Sequence, residues 1–177
     1  MKGKSVVLAG GSGGLGAAVA EQLARRAAIP VIGCRSKRER ADALADAVRT
    51  LRVGPATDLA TDMGPLIGPA EGALLRALTQ LDPGERWLVA PRALDDPDPA
   101  QARLWSPGLR LGVQPHSWFA RTECFGPVLG LMRAEDLDEA IALANDTAFG
   151  LTSGIQTLDD REIERWVIVA IAALLLL

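Results

Sequence analysis

The sequence predicts an α/β fold, and three observations carry that reading. Two short apolar runs, Ser5–Ala9 and Pro30–Cys34, flank a glycine-rich loop and an amphipathic stretch. Further along, segments with helical periodicity alternate with apolar runs of strand length. With 49% apolar and 23% charged residues, the balance is that of a globular α/β chain, and 177 residues can bury one ordinary core or two small lobes sharing one.

The elements follow in order. Ser5–Ala9 has the length and apolarity of a buried parallel strand. Gly10–Gly16 forms a turn, and Leu15, Ala18, Val19 and Leu23 then lie on one helical face before the strand Pro30–Cys34. Ser36–Leu51 reads as a helix with Ala41, Leu44, Val48 and Leu51 on its apolar side. Pro69–Leu81 is a second helix, with Ala70, Leu74, Leu78 and Leu81 in line and Pro69 suited to its first turn. Pro83-Gly84 ends it, Trp87–Ala90 and Arg110–Val113 are strands, and Asp95–Pro99 is a polar loop. A Gly126-Pro127 turn leads to an apolar strand. The next helix has Leu137, Ile141 and Ala144 in register and acids in its first turn, where the dipole favours them. A Gly-bounded strand follows, then a helix opening at Asp159–Arg165.

Charge is unevenly placed. Up to Arg49 there are nine Lys/Arg against four Asp/Glu, and from Thr50 onward ten against eighteen, which suggests two segments of different origin. The basic excess is too mild and too interrupted for a nucleic-acid partner. Cys34 and Cys124 make no metal-ligand spacing, so no metal site is expected. With no signal-peptide pattern at the N-terminus the chain reads as cytoplasmic. The twelve-residue apolar end Trp166–Leu177 would span ~18 Å as a helix, short of the ~30 Å hydrocarbon layer. No transmembrane span is expected. The tail is instead a buried terminal element or, failing that, a self-association patch.

Strand, glycine loop, helix and strand make a Rossmann-like βαβ unit. Glycines let the backbone approach a pyrophosphate, and the helix N-terminus offers N–H groups to it. The spacing fits both G-x-G-x-x-G (Gly11, Gly13, Gly16) and G-x-x-x-G-x-G (Gly10, Gly14, Gly16). The second form, in VVLAGGSGGLGAAVAEQLA, resembles the start of a short-chain dehydrogenase/reductase, which implies a nicotinamide dinucleotide held by Gly10, Ser12, Gly14 and Gly16. Arg35 and Ser36 stand where an acid would accept ribose hydroxyls, and a cation there suits a 2′-phosphate, so NADP is expected over NAD. The same basic run could instead open the next helix on its solvent side. Short-chain-reductase catalysis is excluded, because the Tyr-x-x-x-Lys pair needs a tyrosine and this chain has none.

From Leu51 to Trp166 the chain resembles the aldehyde dehydrogenase superfamily, in particular its glutamate-semialdehyde (pyrroline-carboxylate) branch found in bacterial proline catabolism. The residues that carry the likeness are Glu123-Cys-Phe-Gly-Pro-Val128 and, some twenty residues on, Ala-Asn-Asp-Thr-Ala-Phe-Gly-Leu-Thr. The resemblance implies that Glu123 holds the nicotinamide ribose hydroxyls and that Phe125 lies against the nicotinamide. It also implies that Ser153 and Gly154, in GLTSGI, anchor a substrate carboxylate, although the same glycines would serve a plain strand entry. In that family a cysteine thiolate attacks the aldehyde, hydride passes to the cofactor and the thioester is hydrolysed. Here Ala41–Arg49 fills the place of the nucleophile loop without a cysteine, and no catalytic residue is assigned. Cys124 sits at a variable position and reads as inert, and His116 as a solvated loop histidine.

The expectation is therefore a Rossmann-like βαβ unit (1–49) joined to a truncated aldehyde dehydrogenase catalytic lobe (50–166) and an apolar tail (167–177). The implied function is NAD(P)-linked oxidation of a small semialdehyde, glutamate semialdehyde to glutamate, inactive in this chain alone. The alternatives are a non-catalytic NADP-binding module and a structural fragment. A compact domain that merely echoes two families competes with the fusion.

Overall fold

In a computed structural model the described residues are 5–9, 29–33, 38–95, 103–147, 155, 157 and 159–174. Strands β1 (Ser5–Ala9) and β2 (Ile29–Gly33) pair in parallel, Ser5 opposite Ile29 and Ala9 opposite Gly33. A second sheet has the order β3 (Arg86–Val89), β4 (Gly108–Leu111), β5 (Val128–Leu131), with β3 antiparallel to β4 and β4 parallel to β5. β2 lies close to β5.

Helix α1 (Arg38–Thr50) lies against β3 and β4. Its apolar stripe is the one the periodicity predicts: Leu44, Ala45 and Val48 are buried with Leu109, Leu129 and Leu131 in one core cluster. α1 crosses from the basic first part of the sequence almost to Leu51, and its buried face packs on strands contributed from beyond residue 100.

Helix α2 (Gly72–Thr79) is shorter than the expected Pro69–Leu81. Glu71 is extended and Gly72 takes a left-handed φ of 51°, so right-handed helical backbone can run only from beyond Gly72, and Pro69 and Ala70 precede the helix. Ala77 and Leu78 anchor α2 in a second cluster with Val113, Phe119, Cys124, Val128 and Met132. Gly84, at φ 88°, turns the chain from α2 into β3, and Gly112, at φ 83°, ends β4 before Val113.

Helix α3 (Leu137–Asn145) is capped by Asp136, whose carboxylate accepts from Glu139 N at 2.9 Å. Ala140 and Ile141 pack with Ala134 and with Trp166 of α4 (Asp160–Leu174). Arg165 of α4 also donates to Asp138 at 2.5 Å. Of the tail side chains that are described, Trp166 is buried as expected, at 5% exposed, while Val167 and Ile168 are 44% and 70% exposed. A helix resting one stripe on α3 turns its other faces outward, and this helix is apolar on more than one face. Among the described residues no helix is long and apolar enough to cross a membrane.

Candidate functional site

The segment Thr122–Pro127 leaves the second core cluster as a loop fixed at both ends. At its entry, Arg121 N donates to Ser117 O and Trp118 O (3.2 and 3.3 Å), and Ala120 N donates to Ser117 Oγ (3.2 Å). At its exit, Gly108 N of β4 donates to Pro127 O at 2.8 Å and Val128 N to Gly126 O at 2.9 Å. Between these anchors the side chains point in opposite senses. Cys124 is buried beside Ala77, Leu78 and Phe119, its Sγ donating to Thr122 O at 3.4 Å. Phe125 is 57% exposed.

Phe125 has a φ of 49°, a left-handed backbone that an aromatic residue rarely adopts. At that inverted residue the chain passes from buried Cys124 to the exposed Phe125 ring, and Glu123, two residues earlier, is half-buried. Gly126 is required by close approach: a Cβ there would stand 2.1 Å from Leu74 Cδ1. The loop is thus pressed against α2 on one side and tied to β4 on the other.

What holds α2 in place is Arg110, a fully buried cation in β4 that periodicity reads only as part of a strand. Its Nη1 donates to Glu85 Oε2 at 2.8 Å, and its Nη2 donates to Gln80 O at 2.6 Å and to Ala77 O. Those two carbonyls belong to the C-terminal end of α2, where a cation also meets the negative end of the dipole. The guanidinium lies 4.1 Å from the Phe119 ring centroid and 4.8 Å from that of Trp87. Burial pulls the Arg110 pKa below its ordinary value, while Glu85 works in the opposite direction. Asp82 extends the network: Oδ2 accepts from Phe119 N (3.1 Å) and Oδ1 from Arg76 (3.0 Å), whose guanidinium stacks 3.9 Å from Trp118. α2, β3, β4 and the turn before the candidate loop therefore meet at one buried charge. The signal in the sequence was an arginine standing in an apolar strand, Gly-Leu-Arg-Leu-Gly-Val; its acidic partner, Glu85, lies too far away in the sequence to be paired by pattern.

Of the site residues expected from sequence, Glu123 and Phe125 stand together on this loop. Gly10, Ser12, Gly14, Gly16, Arg35, Ser36, Ser153 and Gly154 lie outside the described residues. Burial pushes the Cys124 thiol up to about 11, outweighing the attraction of Arg110 and Arg76, so the thiol is the form present at neutral pH. His116 is exposed, as expected, but not solitary: its Nδ1 lies 2.9 Å from Asp146 Oδ2. Among the described residues no group of three or more His, Cys, Asp or Glu could hold a metal ion.

The aldehyde dehydrogenase family description matches residues 34–171. The chain belongs to the aldehyde dehydrogenase family. The family match begins at Cys34, ahead of α1 and well before the change of character read at Thr50. Among relatives, a geranial dehydrogenase from Castellaniella defragrans is 37% identical over 120 residues, covering 67% of this chain and 24% of that protein. An alpha-ketoglutarate semialdehyde dehydrogenase from Haloferax volcanii is 34% identical, covering 70% of this chain and 26% of its own length. The chain thus spans about a quarter of the curated relatives it matches. Among solved structures, Proline Utilization A (PutA) from Corynebacterium freiburgense is 41% identical with a TM-score of 0.81, covering 94% of this chain and 18% of that one. Lactaldehyde dehydrogenase from Escherichia coli shares the α/β fold at TM-score 0.78 and 24% identity, covering 96% of this chain and 37% of that one.

Proposed function

We propose that this aldehyde dehydrogenase chain forms part of the nicotinamide-nucleotide side of an NAD(P)-linked aldehyde oxidoreductase, with Glu123 and Phe125 as the cofactor-facing residues. The observation that carries the reading is the inverted backbone at Phe125, where a large aromatic ring stands exposed two residues from Glu123 on a loop fixed at both ends. Those two groups fit the cofactor: a carboxylate accepts two hydroxyl hydrogen bonds from a ribose, and an exposed ring gives a planar heterocycle an apolar face. The bound nicotinamide would supply the hydride acceptor; Glu123 would bind and orient its ribose, and Phe125 would keep water from the ring.

The substrate reading is glutamate semialdehyde, in line with the likeness to the proline-utilisation protein, with Ser153 and Gly154 receiving the carboxylate. Gly10, Ser12, Gly14 and Gly16, with Arg35 and Ser36, form the second nucleotide-binding element of the proposal and favour NADP. The short-chain-reductase origin read for residues 1–49 is proposed only for the part ahead of Cys34, where the family match begins. Because Cys124 is buried with a raised pKa and Ala41–Arg49 holds no thiol, the chain alone is expected to turn over no aldehyde. The test is a titration of the purified chain with NADPH and NADH, followed by tryptophan emission, together with an assay for semialdehyde-dependent nucleotide reduction. Nucleotide binding without reduction supports the reading. Binding of neither, or turnover that survives Cys124→Ser, contradicts it.

A further inference from the structure

Asp146 caps the C-terminal end of α3, far in sequence from the candidate loop, yet its carboxylate reaches the turn that feeds the loop. Oδ1 accepts from Arg121 Nη2 at 2.6 Å, and Oδ2 lies 2.9 Å from His116 Nδ1. Arg121 is the last residue before Thr122, and His116, at a left-handed φ of 63°, opens the same turn. One carboxylate therefore grips both ends of a six-residue turn. His116 Nδ1 also faces Arg121 Nη2, but a single ring nitrogen cannot both donate to Asp146 and accept from arginine. The contact between Arg121 and Asp146 is the same whichever ring nitrogen of His116 carries the proton. The hydrogen bond from Arg121 is the first cause of an Asp146 pKa held below the ordinary carboxylate value.

We propose that Asp146 is a positioning residue: it clamps the two ends of the 116–121 turn to α3 and thereby sets where Glu123 and Phe125 stand. Two features separate this clamp from an ordinary surface ion pair. The loop it precedes is tied at its entry by backbone bonds within the same turn, so any shift of that turn is passed to the loop. The clamp is also a polar link from that turn to α3, beside Leu143, which packs on the cluster holding Phe119, whereas Asp82 and Phe119 link the turn to α2 and β4. Its value for cofactor binding rests on the reading of Glu123 and Phe125 given above; the clamp itself does not.

The test is amide hydrogen exchange of the full chain by mass spectrometry, comparing wild type with Asp146→Asn, Arg121→Gln and Arg121→Lys. With that exposed pair removed, amides across 117–127 should exchange about three- to fivefold faster in Asp146→Asn and Arg121→Gln. Amides of β5 and α2 should be unchanged. Arg121 meets Asp146 through one nitrogen only, so Arg121→Lys should restore the wild-type rate to within about twofold. Unchanged exchange over 117–127 in Asp146→Asn would overturn the proposal, as would an equal rise in every amide of the chain. In parallel, Asp146→Asn should weaken NADPH or NADH binding by the same factor. If the wild type binds neither nucleotide, the cofactor reading falls and the exchange rates still decide the clamp.

Discussion

Gly126 and Leu74 are in such close contact that the loop carrying Glu123 and Phe125 has no room for a side chain where it crosses α2: a Cβ at Gly126 would lie 2.1 Å from Leu74 Cδ1 and 3.3 Å from Cγ. Leu74 must turn away to admit that Cβ, and in doing so it leaves the position in which it packs against the second core cluster. Gly126→Ala should destabilise the chain by about 1–3 kcal/mol, the usual range for overpacking. Adding Leu74→Ala should recover part of that loss, giving a non-additive cycle in urea melts. Two independent losses that simply sum would show that the two positions do not touch.

The buried pair Arg110–Glu85 makes a prediction of opposite kind. Removing one partner strands a charge with no exposure on either side chain, so Arg110→Ala should cost about 3–5 kcal/mol. Replacing both with apolar residues, Arg110→Met with Glu85→Leu, should cost much less for the ion pair itself. The carbonyls of Ala77 and Gln80 would still lose their donor, so the double variant should fall between Arg110→Ala and wild type. The midpoint of urea unfolding, at constant m, is the measurement.

How much of this was legible in the sequence depends on the range of the interaction. α1 and α3 were readable because their apolar stripes repeat every three or four residues and local spacing reports them: Leu44 and Val48 are buried where the stripe puts them, and Asp136 caps α3 where the acidic first turn begins. The start of α2 was misplaced because Gly72 adopts a left-handed backbone that glycine permits but does not announce. Glu123 and Phe125 were found through a resemblance carried by a short motif, and their opposite exposure to Cys124 follows from the φ of one phenylalanine, which no pattern encodes. Arg110, Asp82 and Asp146 were missed for a common reason. Each has a partner 25 or more residues away (Glu85, Phe119 N and Arg121), and a charge in a strand or at a helix end looks the same in sequence whether it meets solvent or a buried ring.

Cys124 gives a pH-dependent prediction whose sign can be worked out. Its pKa is raised from 9.0 to about 11 by burial, so above pH 9 the unfolded chain releases the thiol proton first. The native state then binds more protons than the unfolded one, and stability falls as pH rises from about 9 to about 11. Cys124→Ala should remove that part of the alkaline slope, read from melting temperatures across the range. In a Cys34→Ser background at pH 8, Cys124 should alkylate about a hundredfold more slowly in the native chain than in urea, the thiolate fraction implied by two pKa units. Equal rates in both states would place the thiol in solvent.

Phe125 separates folding from binding. Its ring is mostly exposed, so Phe125→Ala should leave the melting temperature nearly unchanged while weakening NADPH or NADH binding about tenfold, the loss of one stacked ring face. Phe125→Gly, which removes the same ring and also relieves the left-handed backbone, should bind as weakly as the alanine variant yet melt higher. A variant chain that loses stability instead of affinity would mean that the ring serves the core.

The most direct test is the nucleotide titration of wild type beside Glu123→Gln, a change that keeps the size of the side chain and removes only its charge. A neutral amide accepts ribose hydroxyls less strongly than a carboxylate, so NADPH or NADH should bind saturably to the wild type and about tenfold more weakly to Glu123→Gln, at an unchanged melting temperature. Equal affinity in the two chains, or no binding by either, would contradict that expectation.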